Sequence, residues 1–285
     1  MTRCVAITPA RDEQQLLPGL IASMVAQTRR PAHWIMIDDG SSDRTPELLD
    51  QAARDHDWIE VHHLPRNRGR EFGGESVIMR FLPREVWDSY DFILRTDADL
   101  SFGPRLIELL LAKFASDSKL GIAGAVLHEP YGSGWREVKM PRFHTRGAVK
   151  MYSSRCFAAI GGLRAGVGWD TIDEAQAMML GYRTRSFPEI IAFHHRPQGA
   201  AGGLLRSRFS SGRTAYVVGY SPLFMLARAL RRTFLSPPFI GSVLMIAGYV
   251  DAHLRRVPRV APPDLVKYIR EQQIRRLLMM NSEWR

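Results

Sequence analysis

Trp34-Ile35-Met36-Ile37-Asp38-Asp39-Gly40-Ser41-Ser42-Asp43 is the stretch that decides the fold. Four apolar residues stop abruptly at two carboxylates, a glycine and two hydroxyls, as a buried strand does when it ends in a strand-to-helix turn. Thr45 can cap the helix that follows, and Pro46 suits its first position. The pattern recurs on both sides. Upstream, Arg3–Thr8 is a short apolar run ended by Pro9, and from Glu13 to Gln27 the residues Leu16, Leu17, Leu20, Ile21, Met24 and Val25 return at helical spacing. Downstream, Ile59–Leu64 predicts a third strand and Phe92–Thr96 a fourth, which ends at Asp97-Ala98-Asp99. A helix around Leu106–Phe114 and a strand around Gly121–Leu127 complete the run. Strands alternating with such helices predict an α/β fold with a mostly parallel sheet. Ligands of such sheets bind at the carboxyl ends of the strands, where Asp38/Asp39 and Asp97/Asp99 both fall.

The chemistry of those ends is specific. Asp97 and Asp99 are two apart, so on extended backbone both carboxylates face one side and can share a hard cation. Asp38 through Asp43 offers acceptors for a nucleobase and ribose, while also serving its own Asx-type turn.

With 285 residues, 45% hydrophobic and 24% charged, the chain holds one large domain or a domain plus an appendage. Collagen, a disordered tail and a disulfide-stapled mini-protein are excluded. Cys4 and Cys156 sit in no metal or redox spacing and read as reduced cytosolic thiols. Met1–Ala10 has no basic stretch before an apolar one, so no signal peptide is expected there. The net charge of +10 is unevenly placed. Residues 1–195 carry 24 Lys and Arg against 25 Asp and Glu, whereas residues 196–285 carry 15 against 4, and 14 of those 15 are arginine. Arginine's planar fork suits phosphate, so the tail points to phosphate-bearing partners.

Taken in order, Thr8-Pro9-Ala10-Arg11-Asp12-Glu13, Ile37-Asp38-Asp39-Gly40-Ser41-Ser42-Asp43 and Arg95-Thr96-Asp97-Ala98-Asp99 resemble the nucleotide and metal motifs of the family 2 inverting glycosyltransferases. The resemblance covers residues 3 to about 200. It implies a GT-A fold, a Rossmann-like sheet flanked by helices, with a nucleotide-diphosphate sugar donor, a Mg or Mn ion and inversion at the anomeric carbon. It also implies the hexosyltransferase class, in polysaccharide or glycolipid synthesis. By the same resemblance Pro9, Arg11, Glu13, Asp38, Asp39 and Asp97 line the nucleotide pocket, and Asp99 is the principal metal ligand beside Asp97. Arg68, in the loop Arg66–Gly74, stands where the family touches the base and diphosphate.

Inverting transfer needs a carboxylate to take the acceptor's proton. In the family a Glu-Asp pair opens a helix that closes at a Gly-aromatic pair, and counting back from Gly181-Tyr182 puts Asp170 at that aspartate. Trp169 stands in place of the glutamate, and Asp173 is the reserve candidate. A further strand, Phe187–Phe193, delivers His194, His195 and Arg196 to the same edge. Neighbouring histidines face opposite ways on a strand, and the resemblance assigns His194 to the metal. Gly132 to Gly147 reads as an acceptor-side loop.

The division expected is a catalytic domain over 1–200 and a basic, apolar helical region over 201–285. Pro237–Val250 is apolar but shorter than the ~20 residues a bilayer crossing needs. Arginines flank it on both sides, which predicts a segment lying on an anionic membrane surface. The sequence therefore predicts a cytoplasmic enzyme, peripheral on the inner face of the membrane, with a lipid-linked or glycan acceptor bearing a hydroxyl or phosphate. A nucleotidyltransferase would place a glycine-rich loop after the first strand, where Pro9-Ala10-Arg11 stands instead. Nucleic-acid binding by the tail is disfavoured by its long apolar stretches and lack of a recognised motif. A catalytically dead scaffold has no need of Asp97, Asp99 and Asp170 together.

Overall fold

The structure is a computed structural model that describes residues 2–65, 75–196, 203–234 and 237–284. Arg68 and its whole loop, Arg66–Gly74, lie outside the described residues. The apolar runs read above are strands β1 (Cys4–Ala10), β2 (His33–Asp38), β3 (Ile59–His63) and β4 (Phe92–Thr96). They pair in parallel in the order β3-β2-β1-β4. Side chains alternate across the sheet: Cys4, Ala6, Trp34 and Met36 enter one core, while Val5, Ile7, Ile35 and Ile37 enter the other. Helices α1 (Leu17–Val25), α2 (Thr45–Asp55) and α5 (Leu106–Ser116) cover the first face. The second is covered by α3 (Glu75–Phe81), α4 (Arg84–Trp87) and α6 (Ser154–Ile160). Helix α1 begins later than its apolar spacing, because Pro18 lies in the first turn and residues 13–16 form the entry turn.

Beyond β4 the sheet changes character. The remaining strands are β5 (Leu100–Phe102), β6 (Leu120–Tyr131), β7 (Gly134–Glu137), β8 (Val149–Ser153) and β9 (Arg183–His194). The order continues β8-β6-β9-β5, with β8 antiparallel to both β4 and β6, β5 antiparallel to β9, and only β6 and β9 parallel. The α/β class holds, but the parallel arrangement is confined to the first half and the β6–β9 pair. No crossover helix separates β6 from β8, only a hairpin to β7 that turns at Gly132 (φ 59°), so the chain returns antiparallel. Part of the expected acceptor-side loop is thus a strand.

The position of the site follows from one local divergence. β1 pairs with β4 only from Cys4 to Ile7, but with β2 out to Ala10. Past that point the two strand ends separate, bridged by Thr8 and Thr96 hydroxyls 2.6 Å apart. Chain order reverses at this pair of strands, which makes it the switch-point crevice of the sheet.

Helix α7 (Trp169–Met179) faces the crevice from the β8 side, and the C-terminal helices α8 (Leu204–Val218), α9 (Pro222–Arg231), α10 (Ile240–Leu254) and α11 (Pro263–Leu277) pack behind it. Leu265, Val266 and Ile269 of α11 share a core with Ile172 and Ala175 of α7. Helices α8 and α10 approach backbone to backbone: a methyl on Gly212 would lie 1.9 Å from the Met245 carbonyl oxygen, and one on Gly248 2.0 Å from that of Phe209. At 15 residues α10 is roughly 22 Å long. Among the described residues no helix is long and apolar enough to cross a membrane.

Gly168 joins the two parts. It caps α7 at φ 83°, and a methyl there would sit 2.3 Å from a methyl of Val218 on α8. Gly168→Ala is expected to lower the unfolding free energy in urea by about 2–4 kcal/mol, from backbone strain plus overpacking. A loss under about 1 kcal/mol would mean that α8 is not pressed against this cap.

Candidate active site

The crevice is built from three strand ends. After β1, the chain turns through Asp12, whose φ of 55° is tolerated because its carboxylate is used locally. Asp12 Oδ1 accepts from the Ser42 N–H (2.7 Å) and hydroxyl (3.1 Å), and the Glu13 N–H donates to Thr45 Oγ1 at 2.8 Å. The loops after β1 and β2 are thereby stitched into one wall. Asp38 serves that wall. Its Oδ1 accepts from the Ser41 N–H at 2.8 Å and its Oδ2 meets His63 Nδ1 at 3.1 Å. Asp38 thus links its own turn to the end of β3. Asp39 is the buried carboxylate beside the crevice, with Oδ2 3.9 Å from Arg11 Nη1. Pro9 lies half-buried at the point of divergence.

Glu13 is also committed. Arg196, just past β9, donates to both its oxygens at 2.9 and 2.8 Å. This fork-to-fork pair ties the β1 loop to the end of β9. Sequence reading placed both residues near the site, but not in contact.

At the end of β4 the buried Arg95 grips Asp97: Nη1 is 2.5 Å from Asp97 Oδ1 and donates to the Gly147 carbonyl. Two residues on, register decides the rest. Leu100 of β5 pairs with His194 of β9, and the His195 N–H donates to the Asp99 carbonyl at 3.0 Å. His194 Nε2 therefore lies 3.3 Å from Asp99 Oδ1, while His195 turns away to Ser101 Oγ at 2.8 Å. One ligand atom from each of Asp97, Asp99 and His194 falls within 4.8 Å of the others. Burial works against charge on His194, yet hydrogen bonds with Asp99 and Glu129 raise it to about 9. Burial alone would raise Asp99 too, and the His194 hydrogen bond and the Arg196 charge hold it below the ordinary carboxylate value.

The donor set fits Mg or Mn: two hard carboxylates and one imidazole, on rigid strand ends. The surroundings fit as well. Glu129 Oε1 lies 3.3 Å from His194 Nδ1, the second-layer contact that fixes a metal-binding imidazole. Glu129 was not legible in the sequence, because it comes from the exposed end of β6.

Asp170 occupies the first turn of α7, half-buried, next to Trp169, whose ring lies 5.0 Å from the Arg95 guanidinium. Its neighbours are differently placed. Lys150, fully buried on β8, donates to the Asp170 carbonyl (2.9 Å) and to both oxygens of Asp173 (2.9 and 3.1 Å), and lies 3.1 Å from Glu174. Asp173 also accepts from the Tyr152 hydroxyl at 2.5 Å. Glu174 accepts from the Thr145 N–H at 2.6 Å and lies 2.7 Å from His144 Nδ1. Asp173, the reserve candidate, is thus turned into a buried ionic network and away from solvent. Burial raises it, with Glu174, against the pull of Lys150. Trp169 connects the halves, its ring 5.0 Å from the Arg95 guanidinium and 5.2 Å from Lys150 Nζ. The aromatic residue in place of the family's glutamate thus lies under the arginine that holds Asp97. A lone lysine within Ala148-Val149-Lys150-Met151-Tyr152 was the sequence signal for this network.

A switch-point crevice rimmed by an Asp-x-Asp and a histidine defines a GT-A scaffold. The whole chain superposes on structures of that fold. Staphylococcus aureus TarS 1-349 in complex with UDP-GlcNAc matches with TM-score 0.60 at 15% identity, over 98% of this chain and 86% of that one. The mannosyltransferase PcManGT from Pyrobaculum calidifontis, in complex with GDP-Man and Mn2+, matches with TM-score 0.56 at 17% identity, over 88% and 75%. Residues 5–80 match the model of Glycosyl transferase family 2. Among curated proteins, the undecaprenyl-phosphate 4-deoxy-4-formamido-L-arabinose transferase of Pectobacterium carotovorum is 36% identical over 108 residues, 37% of this chain. The protein of the same name from Salmonella paratyphi A is 31% identical over 134 residues, 46% of this chain. These matches span 31% and 38% of the relatives' own lengths.

Proposed function

We propose that the chain is a metal-dependent, inverting glycosyltransferase that moves a sugar from a nucleotide-diphosphate sugar to a lipid-linked acceptor at a membrane surface. The observation that carries this reading is the convergence of Asp97, Asp99 and His194 within 4.8 Å at the mouth of the β1–β4 crevice. These three would hold Mg or Mn, which when bound offsets the charge on a departing diphosphate. Asp39, Arg11 and Pro9, on the neighbouring wall, bind and orient the nucleotide. Arg95 keeps Asp97 aimed at the cation site, and the Glu13–Arg196 pair holds the two sides of the crevice together. Asp170 takes the proton from an acceptor hydroxyl on the opposite side. The sugar-nucleotide complexes of the structural neighbours and the lipid-phosphate names of the curated relatives support this choice of donor and acceptor.

The proposed division is a catalytic unit over residues 1–200 and a membrane-facing helical unit over 201–285, working at the cytoplasmic face. Its support is the set of exposed apolar side chains on α9, α10 and the connection between them, where Leu223, Leu230, Phe234, Phe239 and Val243 are each more than 60% exposed. A monomer rarely presents so large an apolar face to water, and arginines at its edges suit lipid phosphates.

Incubation of the full chain with Mn and a panel of UDP- and GDP-sugars tests the reading. Slow release of nucleoside diphosphate from one donor is expected. Turnover of a nucleoside triphosphate with a sugar phosphate, and none of any sugar nucleotide, would overturn it in favour of a nucleotidyltransferase.

A further inference from the structure

Acids are scarce in the C-terminal helices, and two of the three, Asp251 and Glu271, are paired with arginines outside the cluster described next. Asp251 lies 3.4 Å from Arg213 and 2.6 Å from Arg255, and Glu271 lies 2.7 Å from Arg275. Arg228, Arg231 and Arg232 recur at i, i+3 and i+4 along one face of α9 and its cap, and Arg276 approaches them from α11. Arg228, Arg232 and Arg276 are half-buried, and among the described residues none has a carboxylate partner. What holds them is aromatic: Arg228 lies 5.6 Å from the Tyr220 ring and Arg276 6.0 Å from the Phe143 ring. Burial, together with Arg228, Arg208 and Arg231, presses the Arg232 guanidinium down to about 10, and burial and Arg231 lower Arg276. Like charges gathered and partly desolvated are unfavourable unless an anion joins them.

The cluster is also well placed. The Arg228 guanidinium lies over the half-buried Tyr220 ring, which is 5.8 Å from Trp284, and Trp284 in turn stacks at 5.4 Å on Phe143 beside Arg276. Outward from the arginines, the exposed strip of α9 is Leu223, Leu226 and Leu230, 63%, 47% and 65% accessible. An apolar strip and a cationic cluster thus share one helix.

We propose that Arg228, Arg231, Arg232 and Arg276 bind the phosphate of a polyprenyl-type lipid, with its hydrocarbon chain lying along Leu223, Leu226 and Leu230. The identification of that lipid as a substrate rests on the proposed function, whereas the phosphate site stands on the arginines. Guanidinium forks suit a terminal phosphate, with its several free oxygens, better than the single buried charge of a diester headgroup.

The test is co-sedimentation of the full chain with three vesicles: phosphatidylcholine alone, and phosphatidylcholine carrying either phosphatidylglycerol or polyprenyl phosphate at equal anionic charge. Wild type should bind the polyprenyl phosphate vesicles about tenfold more tightly than the phosphatidylglycerol ones. The Arg228→Gln/Arg232→Gln double variant should lose that preference while still being stabilised by nucleoside diphosphate with Mn. The Arg228→Lys/Arg232→Lys variant, which keeps the charge but not the fork, should bind both anionic vesicles alike. Equal binding of both by wild type would reduce the cluster to general attraction to anionic lipid and overturn the proposal, as would an unchanged preference in the glutamine variant. Competition by inorganic phosphate as strong as that by polyprenyl phosphate would likewise remove the lipid from the assignment. If wild type prefers polyprenyl phosphate yet no nucleotide stabilises it, the phosphate site stands and the proposed function falls.

Discussion

An Asp99→Asn protein is expected to lose metal-dependent turnover of the sugar nucleotide by about a thousandfold, since a cation at a departing phosphate supplies several kcal/mol. The substitution keeps the shape. Asp99 is buried, its carbonyl still accepts from the His195 N–H, and an amide oxygen can still face His194 Nε2. What disappears is the charge, and with it the hard ligand that a divalent ion requires. Thermal melting without metal should move little, which separates loss of the site from loss of the fold. Steady-state turnover with and without Mn makes the measurement, and activity within about threefold of wild type would remove Asp99 from the metal site.

Asp170→Asn should lower kcat by about a hundredfold to ten-thousandfold, the usual contribution of a positioned general base, with nucleotide affinity unaltered. The reason for a selective effect is geometric. Lys150 holds α7 through the Asp170 carbonyl, not its side chain, so the asparagine leaves the buried network with Asp173 and Glu174 intact. An unchanged kcat would place the nucleophile on a phosphate oxygen, which is already anionic and needs no base.

Much of the donor half was legible because local sequence dictates it. Ile35-Met36-Ile37 must be a buried strand, Asp38-Asp39-Gly40 must be its turn, and the same logic returns at Asp97-Ala98-Asp99. Alternation alone brings Asp97 and Asp99 to one side. The partners that finish the site depend on register between distant strands. His194 meets Asp99 because β5 pairs with β9, and Glu129 meets His194 from the end of β6, where nothing in its local sequence marks it. Asp38 and Glu13 are the instructive cases. Both are acids at the expected edge, and they also accept from a turn N–H and from an arginine 183 residues away. Asp173 differs from Asp170 in burial: one turn further along α7, it is enclosed with Lys150 and Tyr152, whereas Asp170 in the first turn stays half-buried.

The antiparallel half of the sheet escaped sequence reading for a related reason. Val149–Ser153 is short, interrupted by Lys150 and runs straight into α6, so its strand character comes from pairing with β4 and β6 rather than from its own pattern. The reading of the tail was limited in the opposite way. Its charge and apolar runs were plain, but the close approach of α8 and α10 at Gly212 and Gly248 is tertiary.

The most direct test of the cation shared between the carboxylates and a diphosphate is calorimetric titration of nucleoside diphosphate into wild type, with and without Mn. The arrangement of Asp97, Asp99 and His194 predicts that Mn tightens nucleotide binding at least about tenfold, and that the gain vanishes in Asp99→Asn. Nucleotide binding of equal strength with and without Mn in wild type would contradict it.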